Sequence, residues 1–416
     1  MTPELLLQLL LAISVILGLA RIVGALFVRC GQPAVVGEMV AGILLGPSFL
    51  GSVAPQVATG AIPATVKPFL YVLAEIGLIY FMFLVGLDVN LKVLRGKMSR
   101  ALGISLSGVV VPFLLSFALC LVVLPFNAER GVSYVSLAVF IGAALSVTAF
   151  PVLARMLSDL GIARTRLGSM AIACASVDDI CAWSLLAVAI AVVKLHNIDS
   201  AIPTFVGIVL FAAAMLTVGR WVAARLMARF AGSSGSVTPG VFTAVFVTVL
   251  LAAYATQRIG IDVIFGGFLV GVILPRDNEA VVASLREKTH DFVSLFLLPI
   301  FFAYSGLNTN IGLLGSWEAA GVCALVILVA TLGKYGGVFV AARTLGGMPP
   351  REASALGWLM NTRGLTELVI LNVGLQIGVI SQAVFTMFVL MALATTFFSP
   401  IILERVYPTR LIRAED

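Results

Sequence analysis

The chain has 416 residues, of which 61% are hydrophobic and 11% charged, with a formal net charge of +6 and a mean hydropathy of +1.12. Soluble domains are about half apolar and a quarter charged, so this composition excludes an ordinary soluble enzyme or binding module. The positive excess indicates no nucleic-acid partner, because it falls in short loops between apolar runs and there reports membrane topology.

Apolar runs of about 18 residues or more recur from end to end, each long enough to cross a bilayer as a helix. The first, LLLQLLLAISVILGLARIVGALFV, follows Glu4 rather than basic residues and shows no small-residue cleavage site. It reads as a retained span, not a signal peptide. In chain order the spans fall at 4–28, 33–50, 66–88, 99–125, 134–157, 167–194, 202–227, 238–257, 261–274, 288–308, 314–343, 353–376 and 382–406. The fold expected is an all-α, multi-pass membrane protein of about thirteen transmembrane helices, with lipid as its surroundings.

An odd number of spans puts the termini on opposite sides. Loops after the odd-numbered spans, at 29, 92–100, 155–166, 220–229, 276–288, 343–351 and 405–413, hold nineteen Lys and Arg. The other side holds four: Lys67, Arg130, Lys194 and Arg258. The positive-inside rule then places the N-terminus outside and the C-terminus in the cytoplasm.

Two words recur at an offset of seven spans. GEMVAGILLG (37–46) in span 2 matches GGFLVGVILP (266–275) in span 9, and FMFLVGLDVNL (81–91) in span 3 matches FFAYSGLNTNI (301–311) in span 10. An odd offset reverses the direction of entry, so the pattern is an inverted repeat, common in secondary transporters. It pairs span 5 with span 12. Span 5 contains LSVTAFPVLARML, where Pro151 lacks a backbone donor and should kink or unwind the helix beside Thr148. Span 12 contains MNTRGLTEL, placing Asn361, Thr362, Arg363, Gly364 and Glu367 at membrane depth. Polar backbone there is tolerated only against protein or a wet cavity, so two broken helices are expected.

Ionisable residues inside a membrane are costly and mark ion or proton pathways. Here they are Asp178 and Asp179 in span 6, Lys334 in span 11, Arg363 and Glu367 in span 12, Glu38 and Glu75 in spans 2 and 3, and Arg21 in span 1. Adjacent helical residues diverge by about 100°, so Asp178 and Asp179 cannot both face one ion squarely. One acid is expected to hold the ion while the other meets a partner, for which Lys334 is the candidate. Burial disfavours charge on acid and base alike, which makes proton exchange accessible to such a pair. Arg363 and Glu367, four residues apart, also fit a static pair along one helix face. Glu38 and Glu75 lie outside the broken pair and read as structural.

Cys30, Cys120, Cys174, Cys181 and Cys323 form no CxxC pair and read as small apolar residues. His196 and His290 fall at loop edges. No phosphate-binding glycine loop, metal-ligand cluster or nucleophile triad is present in the sequence, so nothing indicates an enzyme or a resident cofactor.

GQPAVVGEMVAGILLGPSFLG, LSVTAFPVLARML, SVDDICAW and MNTRGLTELVILNVG together resemble the monovalent cation/proton antiporter-2 family, over essentially the whole chain. The words in spans 5 and 12 are most similar to plant cation/proton exchangers and their bacterial relatives. The resemblance implies a homodimer in a bacterial inner membrane and elevator-like transport. It implies dimerisation segments at 1–98 and 231–312, a core at 99–200 and 313–416, and a linker helix at 201–230. By the same resemblance Asp179 is the ion-binding carboxylate, Asp178 the acid paired with Lys334, and Thr148 a residue at the crossing near the ion. Asn361, Thr362, Arg363 and Glu367 then support the broken helix. Two acids with this lysine imply electrogenic exchange. The transported ions are Na⁺ or K⁺ against H⁺; the acids favour sodium, whereas the wording of span 12 is nearer potassium exchangers.

Two other readings stand beside the antiporter. One is an electroneutral or channel-like potassium efflux protein gated by Arg363 and Glu367. The glutathione-gated kind is disfavoured, since the sequence stops at Asp416 without a nucleotide-binding domain. The other is a sodium-coupled organic-anion carrier on the same scaffold, which the adjacent acids argue against.

Overall fold

The structure is a computed structural model and describes residues 3–88, 98–163, 165–194, 207, 210–211, 213–230, 238–259, 263–275 and 279–414. Much of the first part of span 7, His196, and the loop residues Lys92, Arg95, Lys97, Arg164 and Arg276 lie outside them. Among the described residues the regular structure is helical. The main helices are α1 Pro3–Arg29, α2 Ala34–Leu45, α3 Lys67–Asp88, α4 Met98–Val123, α5 Tyr134–Ser146, α6 Phe150–Asp159, α7 Arg166–Lys194 and α8 Arg220–Phe230. They continue with α9 Pro239–Ile259, α10 Val263–Ile273, α11 Glu279–Phe292, α12 Leu298–Leu307, α13 Trp317–Thr344, α14 Pro350–Met360, α15 Leu365–Gln376 and α16 Gln382–Val406. Nine helical stretches among the described residues are long and apolar enough to cross a membrane, with shorter apolar helices beside them.

The expected spans are recognisable, with corrections at their edges. Span 2 stops at Leu45; Gly46 turns the chain, and short helices Leu50–Val53 and Pro55–Ala61 follow. Span 10 starts earlier than position 288, because α11 begins at Glu279 and runs through a π turn, Val293–Leu297, into α12. The first pair of matched repeat words falls in two short helices, α2 with 12 residues and α10 with 11. At 1.5 Å per residue each covers roughly 18 Å, well under the ~30 Å bilayer core, so both must pack inside protein.

The chain divides into two compact units. The first comprises Met1–Leu17, Ile62–Lys92 and Lys194–Tyr304. Its centre is α10, whose small residues let neighbouring backbones approach. A Cβ on Gly267 would come within 2.3 Å of the Ile79 carbonyl, and one on Gly271 within 2.2 Å of the Phe83 carbonyl, both in α3. On the other side, a Cβ on Gly266 would meet the Ala253 nitrogen of α9 at 2.3 Å. Lipid gives helices no hydrophobic reason to associate, so such close small-residue contact is what holds them.

The second unit comprises Gly18–Ala61, Val93–Val193 and Ser305–Asp416. It takes in residues 18–61 besides the expected core segments. The tie is close backbone contact: a Cβ on Gly306 would lie 2.5 Å from the Ile43 nitrogen in α2. Here α4 packs on α13, where a Cβ on Gly337 would sit 2.6 Å from the Ser107 carbonyl.

Candidate functional site: a crossing of two broken helices

Spans 5 and 12 are both interrupted. α5 ends at Ser146, Val147 is extended at φ −76°, ψ 140°, and α6 begins at Phe150. The break precedes Pro151 rather than falling at it. A proline at 151 has no N–H to give the residue-147 carbonyl, and in the first turn of α6 that donor is not needed. α14 ends at Met360, and residues 361–364 are irregular before α15. Gly364 adopts φ 154°, ψ −120°, a conformation closed to side-chain-bearing residues.

The two breaks touch directly. The Ala149 N–H donates to the Thr362 carbonyl at 3.1 Å, and Thr148 Oγ1 lies 2.8 Å from the Met360 carbonyl. α7 brings the two aspartates to this crossing. Thr148 Oγ1 is also 2.7 Å from Asp178 Oδ2, so its single proton serves either the carboxylate or the Met360 carbonyl at one time.

Asp178 is fully partnered. Its Oδ2 is 2.5 Å from Lys334 Nζ, and its Oδ1 accepts from Ser105 Oγ. Lys334 also donates to the Ser146 carbonyl at 2.6 Å, at the C-terminal end of α5. Both members of the pair are fully buried. Asp179 is different: it is buried, the Phe150 backbone N–H reaches its carboxylate, and its Oδ1 has no hydrogen-bond partner. The partial positive charge of the α6 N-terminus favours an anion there.

Asn361 Oδ1 and Nδ2, Thr362 Oγ1 and Arg363 Nε are further buried atoms of the break without partners. Asn361 Oδ1 and Thr362 Oγ1, with Asp179 Oδ1, are unused oxygen donors. Hard monovalent cations need only oxygen donors, and no resident cofactor is indicated.

Arg363 lies in the break, and its Nη1 is 3.4 Å from Oε1 of Glu367, four residues on. Its shorter contacts are backbone oxygens in the last turn of α5: Leu145 at 2.8 Å and Ala144 at 3.2 Å. Its own N–H and carbonyl are clamped by Thr396 Oγ1 at 3.0 and 2.6 Å. Arg363 and Lys334 thus put two cations on the negative end of one half-helix. Glu367 is fully buried, with Oε2 unpartnered. Among the described residues the charged side chains buried in the fold are Asp178, Asp179, Glu367, Lys334 and Arg363, three acids against two bases.

All eight residues expected at the site are buried within this second unit. Sequence reasoning missed Ser105, Ser146 and Thr396, and the carbonyls that the two cations cap.

Residues 11–407 match the model of the sodium/hydrogen exchanger transmembrane family. The Na(+)/H(+) antiporter NhaS4 of Synechocystis sp. is 51% identical over 409 residues, covering 98% of this chain and 99% of its own length. Cation/H(+) antiporter 20 of Arabidopsis thaliana is 37% identical over 95% of this chain, and K(+)/H(+) antiporter 1 of Saccharomyces cerevisiae 33% over 91%. The chain spans about half the length of these plant and yeast relatives, 48% and 44%. The solved sodium proton antiporter MjNhaP1 of Methanocaldococcus jannaschii shares the fold, with a TM-score of 0.64 at 15% identity over 98% of this chain and 99% of that one. A multi-pass helical chain with two broken helices crossing at buried carboxylates, matched almost end to end, belongs to the sodium/hydrogen exchanger family of monovalent cation/proton antiporters.

Proposed function

We propose that the chain exchanges sodium for protons across a bacterial inner membrane, and that the two compete for Asp179. The observation that carries this reading is the unequal fate of adjacent acids. Asp178 is held by Lys334, Ser105 and Thr148, whereas Asp179 keeps a buried oxygen without a partner. A bare carboxylate cannot cheaply cross a membrane, but one neutralised by either ligand can. The Synechocystis relative, named a Na(+)/H(+) antiporter and similar along its whole length, favours sodium.

Asp178 supplies a second proton site once it leaves Lys334. Two proton sites against one cation make the exchange electrogenic. Every hydrogen bond described at the crossing is made inside one compact unit, which holds residues 18–61 as well as most of the core segments 99–200 and 313–416, and which would move as a body in the manner of an elevator. Segments 1–98 and 231–312 would then pair two copies, joined to the core by 201–230. Arg363 bound to α5 carbonyls suits a fixed clamp better than a gate, which disfavours channel-like potassium efflux.

The test uses everted membrane vesicles with an acid interior and a pH-sensitive dye. Sodium should relieve quenching more effectively than potassium, and Asp179→Asn should abolish the response. Exchange that survives in Asp179→Asn removes the competition mechanism. A parent response to potassium alone replaces sodium as the cation.

A further inference from the structure

The backbone of the second break can be followed residue by residue. The Asn361 and Thr362 N–H groups still donate into the last turn of α14, and the Gly364 carbonyl opens α15 by accepting from Leu368. Arg363 is met from α16 instead. Thr396 Oγ1 accepts from its N–H at 3.0 Å and donates to its carbonyl at 2.6 Å. One hydroxyl can do both at once, since it has one proton and two lone pairs. The Arg363 N–H and the Thr362 carbonyl belong to a single planar peptide. That peptide is therefore held at one end by Ala149 of the first break, at 3.1 Å, and at the other by Thr396. Thr396 is buried, and α16 packs on both α14 and α15, the halves that the gap separates.

The inverted repeat gives this residue a counterpart. The offset of seven spans that pairs span 5 with span 12 also pairs span 6 with span 13. ASVDD (175–179) in α7 and ALATT (392–396) in α16 then align without a gap, Thr395 on Asp178 and Thr396 on Asp179. The hydrogen bonds agree with that register. At the first break the Phe150 N–H reaches the Asp179 carboxylate, and at the second the Arg363 N–H reaches the Thr396 hydroxyl. The two differ in what they leave open. Asp179 keeps an oxygen without a hydrogen-bond partner, whereas the Thr396 hydroxyl is bound twice to one residue. Its neighbours stay within their own helix: the Thr395 and Ser399 hydroxyls turn back onto the Met391 and Thr395 carbonyls.

We propose that Thr396 is a positioning residue of the ion site: by fixing the 362–363 peptide it makes Asn361 and Thr362 present their side-chain oxygens to the sodium ion held by Asp179. This role rests on the sodium site proposed above. The repeat thus supplies one break with a ligand that exchanges and the other with a hydroxyl that does not. Without that hydroxyl the peptide is held from the Ala149 side alone and can rotate about it. Cation choice depends on the number and placement of oxygen ligands, so it should loosen together with affinity.

Initial rates of exchange against sodium and against potassium concentration in proteoliposomes test this, with melting temperature as the check on folding. Thr396→Val keeps the shape and removes both bonds. It should raise the half-saturating sodium concentration about tenfold, the scale of one hydrogen bond, and leave the rate at saturating sodium near that of the parent. The half-saturating concentrations of sodium and potassium should also draw together. Thr396→Ser should restore the parent values, and Thr395→Val should not depart from them. Should Thr396→Val not fold, Thr396→Ser against Thr396→Cys decides: the two are close in size, but a thiol is the weaker donor and acceptor, so half-saturation should rise for the cysteine variant alone. A folded Thr396→Val that melts lower yet keeps the half-saturation and selectivity of the parent overturns the proposal, as do equal values for the serine and cysteine variants. A parent that exchanges no sodium fails one step earlier, since it removes the sodium site itself and this role with it.

Discussion

Asp178 and Asp179 differ by one helical step and stand in opposite conditions. Asp178→Asn leaves Lys334 buried with its charge uncompensated, and losing one partner of a buried pair costs about 3–5 kcal/mol. The variant should therefore melt well below the parent in detergent, and Lys334→Met added to it should recover most of the loss. Asp179→Asn should abolish exchange while leaving melting unchanged or raised, because it removes a buried charge whose Oδ1 has no hydrogen-bond partner. Equal melting of the two single variants would contradict the assignment of roles. Arg363→Lys should also lower the melting temperature, since a single ammonium cannot span the Ala144, Leu145 and Glu367 oxygens as a guanidinium fork does. The acids were legible in the sequence because a charge in an apolar run has no cheap explanation. Ser105 and Thr396 were not, because hydroxyls in apolar helices commonly turn onto their own i−4 carbonyl, as Ser399 does on Thr395.

At the level of elements, the breaks depend on backbone that few residues can adopt. Gly364→Ala forces a Cβ into φ 154° and brings it within 3.0 Å of Val152 Cγ2, so about 1–3 kcal/mol of strain should appear as lowered melting and slowed exchange. A variant that exchanges and melts like the parent would show that the second break tolerates other geometries. The breaks were foreseen from the inverted repeat, since polar residues in span 12 gave meaning to a proline in span 5 that alone would have signified little. Their registers were not foreseen. Pro151 marks the start of a new helix rather than a bend in an old one, and only the cross-chain bond from Ala149 to Thr362 fixes where the gap opens. The π turns at Met215–Gly219 and Val293–Leu297 left no trace either, because an extra residue per turn barely disturbs a pattern that is apolar all round.

For the whole molecule, the proposed competition at one carboxylate would set the pH dependence. Acidification should raise the sodium concentration that gives half-maximal exchange and leave the rate at saturating sodium unchanged. Initial rates over a grid of pH and sodium in proteoliposomes would measure it. A maximal rate that falls with acid at constant half-saturation would point to a separate regulatory proton instead. The multi-pass helical plan was legible because length and apolarity identify a crossing helix, as they do for nine stretches among the described residues. The grouping of residues 18–61 with the second unit was not, since it rests on backbone contacts such as Gly306 against α2 that composition does not encode.

The uneven count of buried charges, three acids against two bases, has an electrical meaning. With all five ionised the empty crossing carries one unit of negative charge; one sodium ion brings it to zero, and two protons bring it to one positive unit. A unit charge moved through the membrane field changes in energy by about 2.3 kcal/mol per 100 mV. Under the proposed two-proton exchange, an inside-negative voltage would draw the doubly protonated form inward, leave the sodium-loaded form indifferent and hold the vacant form at the outer face. On that reading the resting potential of the cell would serve as a latch that keeps an unoccupied carrier from slipping back and dissipating the gradient it runs on.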